Sequence, residues 1–399
     1  MSEILQQVKT PKSELKSRIK RLQAEMAREE VSAVLIMQQA DKFYFSGTVQ
    51  DGVIFVPVDD KPVFMVRKSL KRALEESELE KIVSFKSYGQ MPTILKENGI
   101  ENISRVGLEM DVMPVLIFNK LCSVFSGSEI IDASKYIRKI RMTKSHFEIQ
   151  TMKKAGEILG KAMKAVPNLL TEGMTEVELA AETEIILRKS GHQGIIRMRK
   201  WNQECFYGLV LSGESGAISN YMDAPLGGMG PCPAAPRGAS QRKIKKGEPI
   251  IIDMVSAYNG YVVDCTRTFY LRKLEEKLVK ALNVSLEIQK VTIERFTEGV
   301  NLKDIYDMAW NMAKDANLDE YFMGHGDSKV KFLGHGVGLE LDELPVIAEN
   351  FDFILEKNMI VAIEPKFLFP DQGAVGIENT WASKKGRPEK ITDIEDNLV

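Results

Sequence analysis

The sequence predicts an α+β chain in two parts, a smaller α/β part over residues 1–140 and a larger part over 141–399. Three observations carry this. Helix-like and strand-like segments alternate from Lys12 up to Ile131, the pattern of a small α/β domain. A basic stretch follows, Ser134 to Thr143 with Lys135, Arg138, Lys139 and Arg141, and it marks a boundary. Beyond it, residues 145–399 twice read as two helices followed by strands, which hints at internal duplication. A length of 399 residues suits two domains.

The elements follow in order. Leu15, Ile19, Leu22 and Met26 recur at helical spacing within residues 12–30. Ala33–Met37 reads as a short buried strand, and Asp41–Gly47 as a turn and strand edge. Val53–Val58 and Pro62–Val66 flank Asp59-Asp60-Lys61 as a hairpin. Ser145 with Glu148 three residues on forms a capping box at the head of a long helix. Ile149, Met152, Ala155, Ile158, Leu159 and Met163 line one face of that helix. A second helix runs from near Thr175 to Lys189, before Gly191. Strands are expected at Ile195–Met198 and Phe206–Leu211. Pro225–Ala239 is a long loop, and such loops often wall a site. Two helices, 273–292 and 302–316, precede a strand-rich stretch from Phe332 to Ser383.

The most informative stretch is Pro249–Tyr270. Two apolar, β-branched runs flank Asn259-Gly260, the dipeptide best suited to a two-residue type I′ turn. Pairing Tyr258 with Tyr261 sets Asp253 opposite Thr266 and places Asp264 on the same face. Two carboxylates facing each other from rigid strands repel unless a cation lies between them, and a hard divalent ion answers that need. The competing reading is a solvent-facing hairpin with scattered acids.

Composition excludes several classes. A formal net charge of −2 gives no field favouring nucleic acid or an anionic membrane. No apolar run reaches membrane-spanning length, and no GxGxxG follows a strand. Met1–Lys9 has no apolar leader core, and the four cysteines show no CxxC spacing, so a reducing cytoplasm is expected.

Three further candidates lie downstream. His335 stands between glycines in Gly334-His335-Gly336-Val337-Gly338, which leaves room for an ion. Glu364 ends Met359–Ile363 and Glu378 ends Ala374–Ile377, both at the ends of strands otherwise fit for burial. If Phe369 pairs with Gly373, Glu364 falls opposite Glu378. Two Asp, one His and two Glu exceed a tetrahedral site and suit two divalent ions roughly 3.5 Å apart. Oxygen-rich ligation favours Mn²⁺ or Co²⁺, with Zn²⁺ also admissible.

In this order and context, Asp253, Asp264-Cys-Thr-Arg-Thr-Phe, Gly334-His335-Gly-Val-Gly-Leu-Glu, Ile363-Glu364-Pro and Gly376-Ile-Glu378 resemble the pita-bread metallopeptidases. Those include Xaa-Pro aminopeptidases, prolidases, methionine aminopeptidases and creatinase. The resemblance covers about residues 141–385, and the segment up to about 133 resembles the creatinase/prolidase N-terminal domain. It implies a pita-bread fold, a curved antiparallel sheet with helices, internally duplicated. It implies that Asp264 and Glu378 bridge two ions, that Asp253 completes one, and that His335 and Glu364 complete the other. Glu364 would also accept the proton of the attacking water. The implied activity is Xaa-Pro aminopeptidase or dipeptidase hydrolysis of a small peptide by a homodimer.

The chain departs from the family pattern around that ligand set. Asn220, Lys331 and Asp342 stand where proline-specific members carry histidines, and are candidates for substrate binding. Lys366 replaces a usual glycine, and Gly376 a common arginine. These departures keep open a metal-dependent lyase or small-amide hydrolase with Asp342 as base. A non-catalytic interaction module is a third reading, set against the five retained ligands.

Overall fold

The computed structural model describes residues 8–397, so most of the Met1–Lys9 stretch behind the expectation about a leader lies outside the described residues. The chain forms two compact units. One comprises Met1–Arg141 with Arg199–Trp201, the other Met142–Met198 with Asn202–Val399. Among the described residues no helix is long and apolar enough to cross a membrane.

The first unit is a six-stranded sheet flanked by helices. The strands are β1 (Ala33–Ile36), β2 (Gly52–Pro57), β3 (Val63–Val66), β4 (Lys81–Ser84), β5 (Arg105–Leu108) and β6 (Glu129–Asp132), in spatial order β4-β3-β2-β1-β5-β6. The β2–β3 hairpin is the expected one, with Phe55 opposite Val63. Helix α1 (Lys12–Arg28) buries Leu15, Ile19, Leu22 and Met26, the stripe read from the spacing. Asp41–Gly47 is not a strand edge. It lies in α2 (Gln39–Ser46), whose start is capped by the Gln38 side chain accepting from the Asp41 amide. The aromatic run Phe43-Tyr44-Phe45 imitates a strand, but Tyr44 and Phe45 are both buried from a helix. Helices α3 (Leu70–Glu76), α4 (Met91–Glu97) and α5 (Val115–Val124) complete this unit. The basic stretch after Ala133 is itself a helix, α6 (Ser134–Met142).

A buried charge cluster ties the unit together. Asp41 is fully buried and accepts from Arg141 at 2.5 Å and from Arg199 at 2.7 Å. Burial pushes its acid up, but Arg141 and Arg199 hold it down at about 2. Neighbouring Glu109 is pushed well up by burial and by the Asp41 charge.

In the second unit, α7 (His146–Leu169) and α8 (Glu176–Lys189) both start with complete capping boxes, Ser145 with Glu148 and Thr175 with Glu178. Strands β7 (Gly208–Ser212), β8 (Pro249–Tyr258) and β9 (Tyr261–Tyr270) form a three-stranded sheet. Ile195–Met198, expected as a strand, has no regular structure. After α9 (Glu276–Arg295) and α10 (Leu302–Asp315) come β10 (Phe332–Gly336), β11 (Glu343–Ala348), β12 (Ile360–Ile363), β13 (Lys366–Phe369), β14 (Gly373–Gly376), β15 (Asn379–Ala382) and β16 (Glu389–Lys390). Both helices bury an apolar face, including Leu278, Ala281, Ile288, Ile305 and Ala309, in one core with Ile363 and Phe367 of the sheet.

The loop 225–239 is anchored at its base. Glu176, fully buried, accepts from the amides and hydroxyls of Ser212 and Ser240, at 2.7–3.0 Å. One carboxylate thus fixes the end of β7 and the exit of the loop together.

Replacing Asp41 with Asn should cost about 3–5 kcal/mol, because the buried ion pairs with Arg141 and Arg199 are lost and Arg199 keeps Asp111 as a carboxylate partner of its guanidinium. Asp41 ionises near 3.8 in an open chain and at about 2 in the fold. Its stabilisation is therefore complete above the higher value and is lost as pH falls between the two. Urea unfolding from pH 2 to pH 5 checks this: the gap between wild type and Asp41→Asn should close toward pH 2. A gap that stays constant would contradict it.

Candidate metal centre

The hairpin forms in the register the turn chemistry sets. Tyr258 pairs with Tyr261 and Asp253 with Thr266, and Asn259 and Gly260 take the two positive φ angles of the turn, 46° and 87°. Asp253 and Asp264 therefore share one face of the sheet.

The two glutamates sit at a break between two ladders. Ile363 pairs with Asn379 in β12–β15, and Lys366 pairs with Gly376 in β13–β14. Continuing either ladder sets Glu364 opposite Glu378, and Phe369 does pair with Gly373. Pro365 has no amide hydrogen, so the ladder cannot run through it. At the gap the Glu378 backbone instead exchanges two hydrogen bonds with Thr266 of β9, at 3.1 and 3.3 Å. That exchange joins the hairpin to the second sheet and brings Asp264 to Glu378.

His335 lies in β10 opposite Ala362. Its flanking glycines serve the sheet rather than an ion. A Cβ on Gly334 would meet the Ala362 carbonyl at 2.3 Å, and one on Gly336 the Leu344 carbonyl at 2.5 Å. The ring Nδ1 faces the Leu341 carbonyl at 3.0 Å, where its hydrogen is donated. Nε2 is thereby left as an acceptor pointing at the carboxylates.

All five expected side chains converge, but around two points rather than one. On one side Nε2 of His335 faces Glu364 Oε1 at 3.6 Å, Glu378 Oε1 at 3.9 Å and Asp264 Oδ2 at 4.0 Å. Glu378 Oε1 is buried with no hydrogen-bond partner. On the other side stands Lys366. Its Nζ donates to Glu364 Oε2 at 2.6 Å, Glu378 Oε2 at 2.9 Å and Asp253 Oδ2 at 3.1 Å. Its side chain is 1% exposed. Thr266 Oγ1 also donates to Glu378 Oε2, and the Cys265 amide to Asp264 Oδ1. Asp264, Glu364 and Glu378 therefore each spend one oxygen on the protein and turn the other toward His335.

The acidities follow this arrangement. Burial alone would discharge Lys366, but Asp253, Glu364 and Glu378 more than reverse that and raise it well above the ordinary lysine range. Burial raises Asp253 too, yet Lys366 and then Arg237 hold it low. Asp264 is pushed far up by burial, Glu378 and Asp253. Glu364 is pushed up to about 7 by burial, with Lys366 opposing. Burial lowers His335, and Asp342, Glu364 and Glu378 raise it on balance.

One divalent cation fits this donor set: the His335 ring nitrogen and one oxygen each of Asp264 and Glu378 lie within 4.8 Å of one another, Glu364 Oε1 stands 3.6 Å from the same nitrogen, and the buried Glu378 Oε1 lacks a hydrogen-bond partner. On the Asp253 side the Lys366 ammonium stands among three of the carboxylate oxygens.

The remaining candidates do other work. Asp342 stands on the Nδ1 side of the His335 ring, Oδ1 at 3.5 Å, away from the cluster. Asn220 spends its amide within a turn, donating to the Leu226 carbonyl and accepting from the Met222 amide. Lys331 pairs with Glu349 at 2.8 Å with its side chain 72% exposed. The loop contributes Arg237 instead, whose charge acts on Asp253 and whose buried Nε lacks a partner. Sequence reasoning passed over Arg237, which sits in a Gly/Pro-rich loop with no periodicity. Lys366 was visible only as a departure, although a lysine at the head of Lys-Phe-Leu-Phe raises the same burial problem as the two glutamates.

The sequence profile of metallopeptidase family M24 matches residues 150–385, more than half of the chain. The chain belongs to metallopeptidase family M24. Residues 18–143 match the creatinase/prolidase N-terminal domain. This M24 chain is 29% identical over 390 residues to the Xaa-Pro dipeptidase of Pyrococcus furiosus, covering 96% of this chain and all of that one. It is 27% identical over 388 residues to the Xaa-Pro dipeptidase of Pyrococcus horikoshii, with 96% and 99% covered. The crystal structure of the prolidase from Pyrococcus horikoshii superposes with a TM-score of 0.80 at 27% identity, over 96% of this chain and all of that one. The fold is accordingly the pita-bread fold behind a creatinase-type N-terminal domain, and M24 membership makes the chain a hydrolase of the metallopeptidase class.

Arg267 holds this centre to the chain's last segment. Fully buried, it donates to the Glu378 and Ile394 carbonyls and to Asn379 Oδ1, at 2.8–3.0 Å. Arg267→Met should remove three buried hydrogen bonds, leaving their acceptors only the Thr266 amide, Thr392 and Lys390 as donors, cost at least about 3 kcal/mol, and expose residues 391–396 to hydrogen exchange. Unchanged protection of that segment would contradict the role.

Proposed function

We propose that this chain is a metal-dependent peptidase acting on short peptides, with Xaa-Pro dipeptides as its first substrate class. The observation that carries the reading is the convergence on His335 Nε2 of one oxygen each from Asp264, Glu364 and Glu378, the Glu378 oxygen being buried without a hydrogen-bond partner. The names of the two Pyrococcus relatives supply the substrate class. These four residues would hold a divalent cation, Mn²⁺ or Co²⁺ by the hardness of the oxygen set. Such an ion, when bound, polarises a carbonyl and acidifies water.

The chain's own residues do the rest. Glu364 would accept a proton from water and return it to a leaving amine. Lys366 grips Glu364 Oε2, and the other oxygen, Oε1, faces His335. The Leu341 carbonyl fixes the tautomer of His335, and Asp342 steadies the ring from the same side. Arg237, half-buried beside Asp253, is a cation available to a peptide carboxylate.

The reading in which Asp342 is a base on a small substrate is weaker. Its carboxylate stands behind the imidazole, where it orients the ring rather than facing the cluster. The interaction-module reading leaves the partnerless Glu378 oxygen without a purpose.

Xaa-Pro dipeptides assayed with added Mn²⁺ or Co²⁺ should be cleaved, and His335→Ala should lose at least about a hundredfold in rate. Metal-loaded protein that ignores every dipeptide yet turns over a small amide or eliminates a small leaving group would overturn the substrate assignment. Asp342→Asn should weaken metal binding about tenfold, the cost expected for a group that orients a ligand, with KM for the dipeptide little changed. A rise in KM alone would return Asp342 to the substrate.

A further inference from the structure

We infer that Lys366 is a permanent internal cation standing in place of a second divalent ion, so that the centre works with a single ion held by Asp264, His335, Glu364 and Glu378. The inference rests on the reading of this cluster as a metal centre, and it departs from the two-ion arrangement that the ligand set alone suggested.

Stereochemistry is the first argument. An ammonium has three N–H donors, and Lys366 Nζ has three carboxylate oxygens from three residues at 2.6, 2.9 and 3.1 Å. Every donor is used, and every acceptor belongs to a residue expected to ligate metal. A tripod of this kind on a side chain 1% exposed is a built feature, not a surface lysine folded inward.

The opposite strand supplies the second argument. Lys366 pairs directly with Gly376. A Cβ on Gly376 would meet Lys366 Cγ at 2.7 Å and Lys366 Cα at 2.8 Å. A larger residue at 376 would crowd the lysine stem and also press on the facing backbone, where the Pro365 carbonyl oxygen lies 2.7 Å from the same Cβ. The two departures noted in the sequence, a lysine for a glycine and a glycine for an arginine, are therefore one exchange of volume and charge across a single cross-strand pair.

Charge gives the third argument. Asp253, Asp264, Glu364 and Glu378 sum to −4 when ionised, and Lys366 brings this to −3. One divalent ion on the His335 side leaves −1. A second would have to share the Glu364, Glu378 and Asp253 oxygens already bound to Nζ, within about 3 Å of a like charge, which is strongly repulsive at that range. Asp253 is held on the lysine side, with Arg237 as its second positive neighbour.

The test is metal stoichiometry. Full-length protein is equilibrated with Mn²⁺ alone, freed of excess ion, and analysed for manganese per chain. Electron paramagnetic resonance then distinguishes isolated from exchange-coupled Mn²⁺. Wild type should hold one ion with an isolated signal. Lys366→Gly, and the double variant Lys366→Gly/Gly376→Arg in case the single change leaves a destabilising void, should hold two with a coupled signal. Thermal melts establish that each variant is folded. Two ions in the wild type would overturn the role of Lys366 and leave the metal-centre reading standing. One ion in the folded variants would also overturn it, since something else would then exclude the second ion. No bound manganese in any folded form would overturn both the inference and the reading it rests on.

Discussion

The carboxylate cluster depends on one cation that the chain supplies itself. Four acids brought onto facing strands in a dry interior could not all stay ionised without positive charge among them. Lys366 provides it from two residues beyond Glu364, so ligand and counter-ion arrive on the same stretch of backbone. Its reach is set by Pro365. That proline ends one ladder and starts the next, and the lysine stem is thereby laid against Gly376 with its Nζ among Asp253, Glu364 and Glu378. The same break gives Glu378 its backbone bonds to Thr266, which hold Asp264 in range. Sheet topology and site electrostatics are thus one arrangement.

The centre is asymmetric as a result. Three carboxylates each turn one oxygen toward His335, and the one from Glu378 has no hydrogen-bond partner. Groups that seem peripheral serve this asymmetry. The Leu341 carbonyl decides which imidazole nitrogen is the acceptor. Glu343 accepts from the Leu339 and Glu340 amides and pairs with buried Lys144, which shapes the turn carrying Leu341 and Asp342. Thr380 brackets the Asp264 backbone by accepting from its amide and donating to its carbonyl. A ligand set held this rigidly has little freedom to rearrange, so where the cations can sit is fixed by the fold.

What could be read in the sequence was what short-range chemistry controls. Asn259-Gly260 dictates a turn, and the turn dictates the register of Asp253 and Asp264. Ser145 with Glu148 dictates a helix start. The Glu364–Glu378 register hung on whether Phe369 pairs with Gly373 across the short connection at Pro370, which the sequence leaves open and the structure shows. The misread segments lacked such local signals. Phe43-Tyr44-Phe45 has strand propensity but is helical because Gln38 caps it and Asp41 must reach two arginines, one of them 158 residues away. Ile195–Met198 looks like a strand but finds no partner strand. Lys366 was noticed and not understood, because its meaning lies in Asp253, 113 residues earlier in the chain. Asn220 and Lys331 are candidates by position in a motif alone, and in the fold they bond to Met222 and Glu349.

A tethered cation differs from a bound one in a way that bears on how such a centre behaves. A metal ion occupies its site in proportion to its concentration, and when it leaves, the carboxylates must protonate or move apart. A lysine cannot leave. Its presence keeps Glu364, Glu378 and Asp253 together at every metal concentration, so half of the cluster is organised before any ion arrives. The ordering of those side chains is then part of folding rather than part of metal binding. The cost falls on chemistry: an ammonium has no open coordination position, cannot polarise a carbonyl as a divalent ion does, and offers hydrogen bonds that are already spent. If Lys366 stands in for a second ion as inferred, activation falls to the His335 side, where Glu364 and Glu378 each give one oxygen to the fixed cation and turn the other toward the ring.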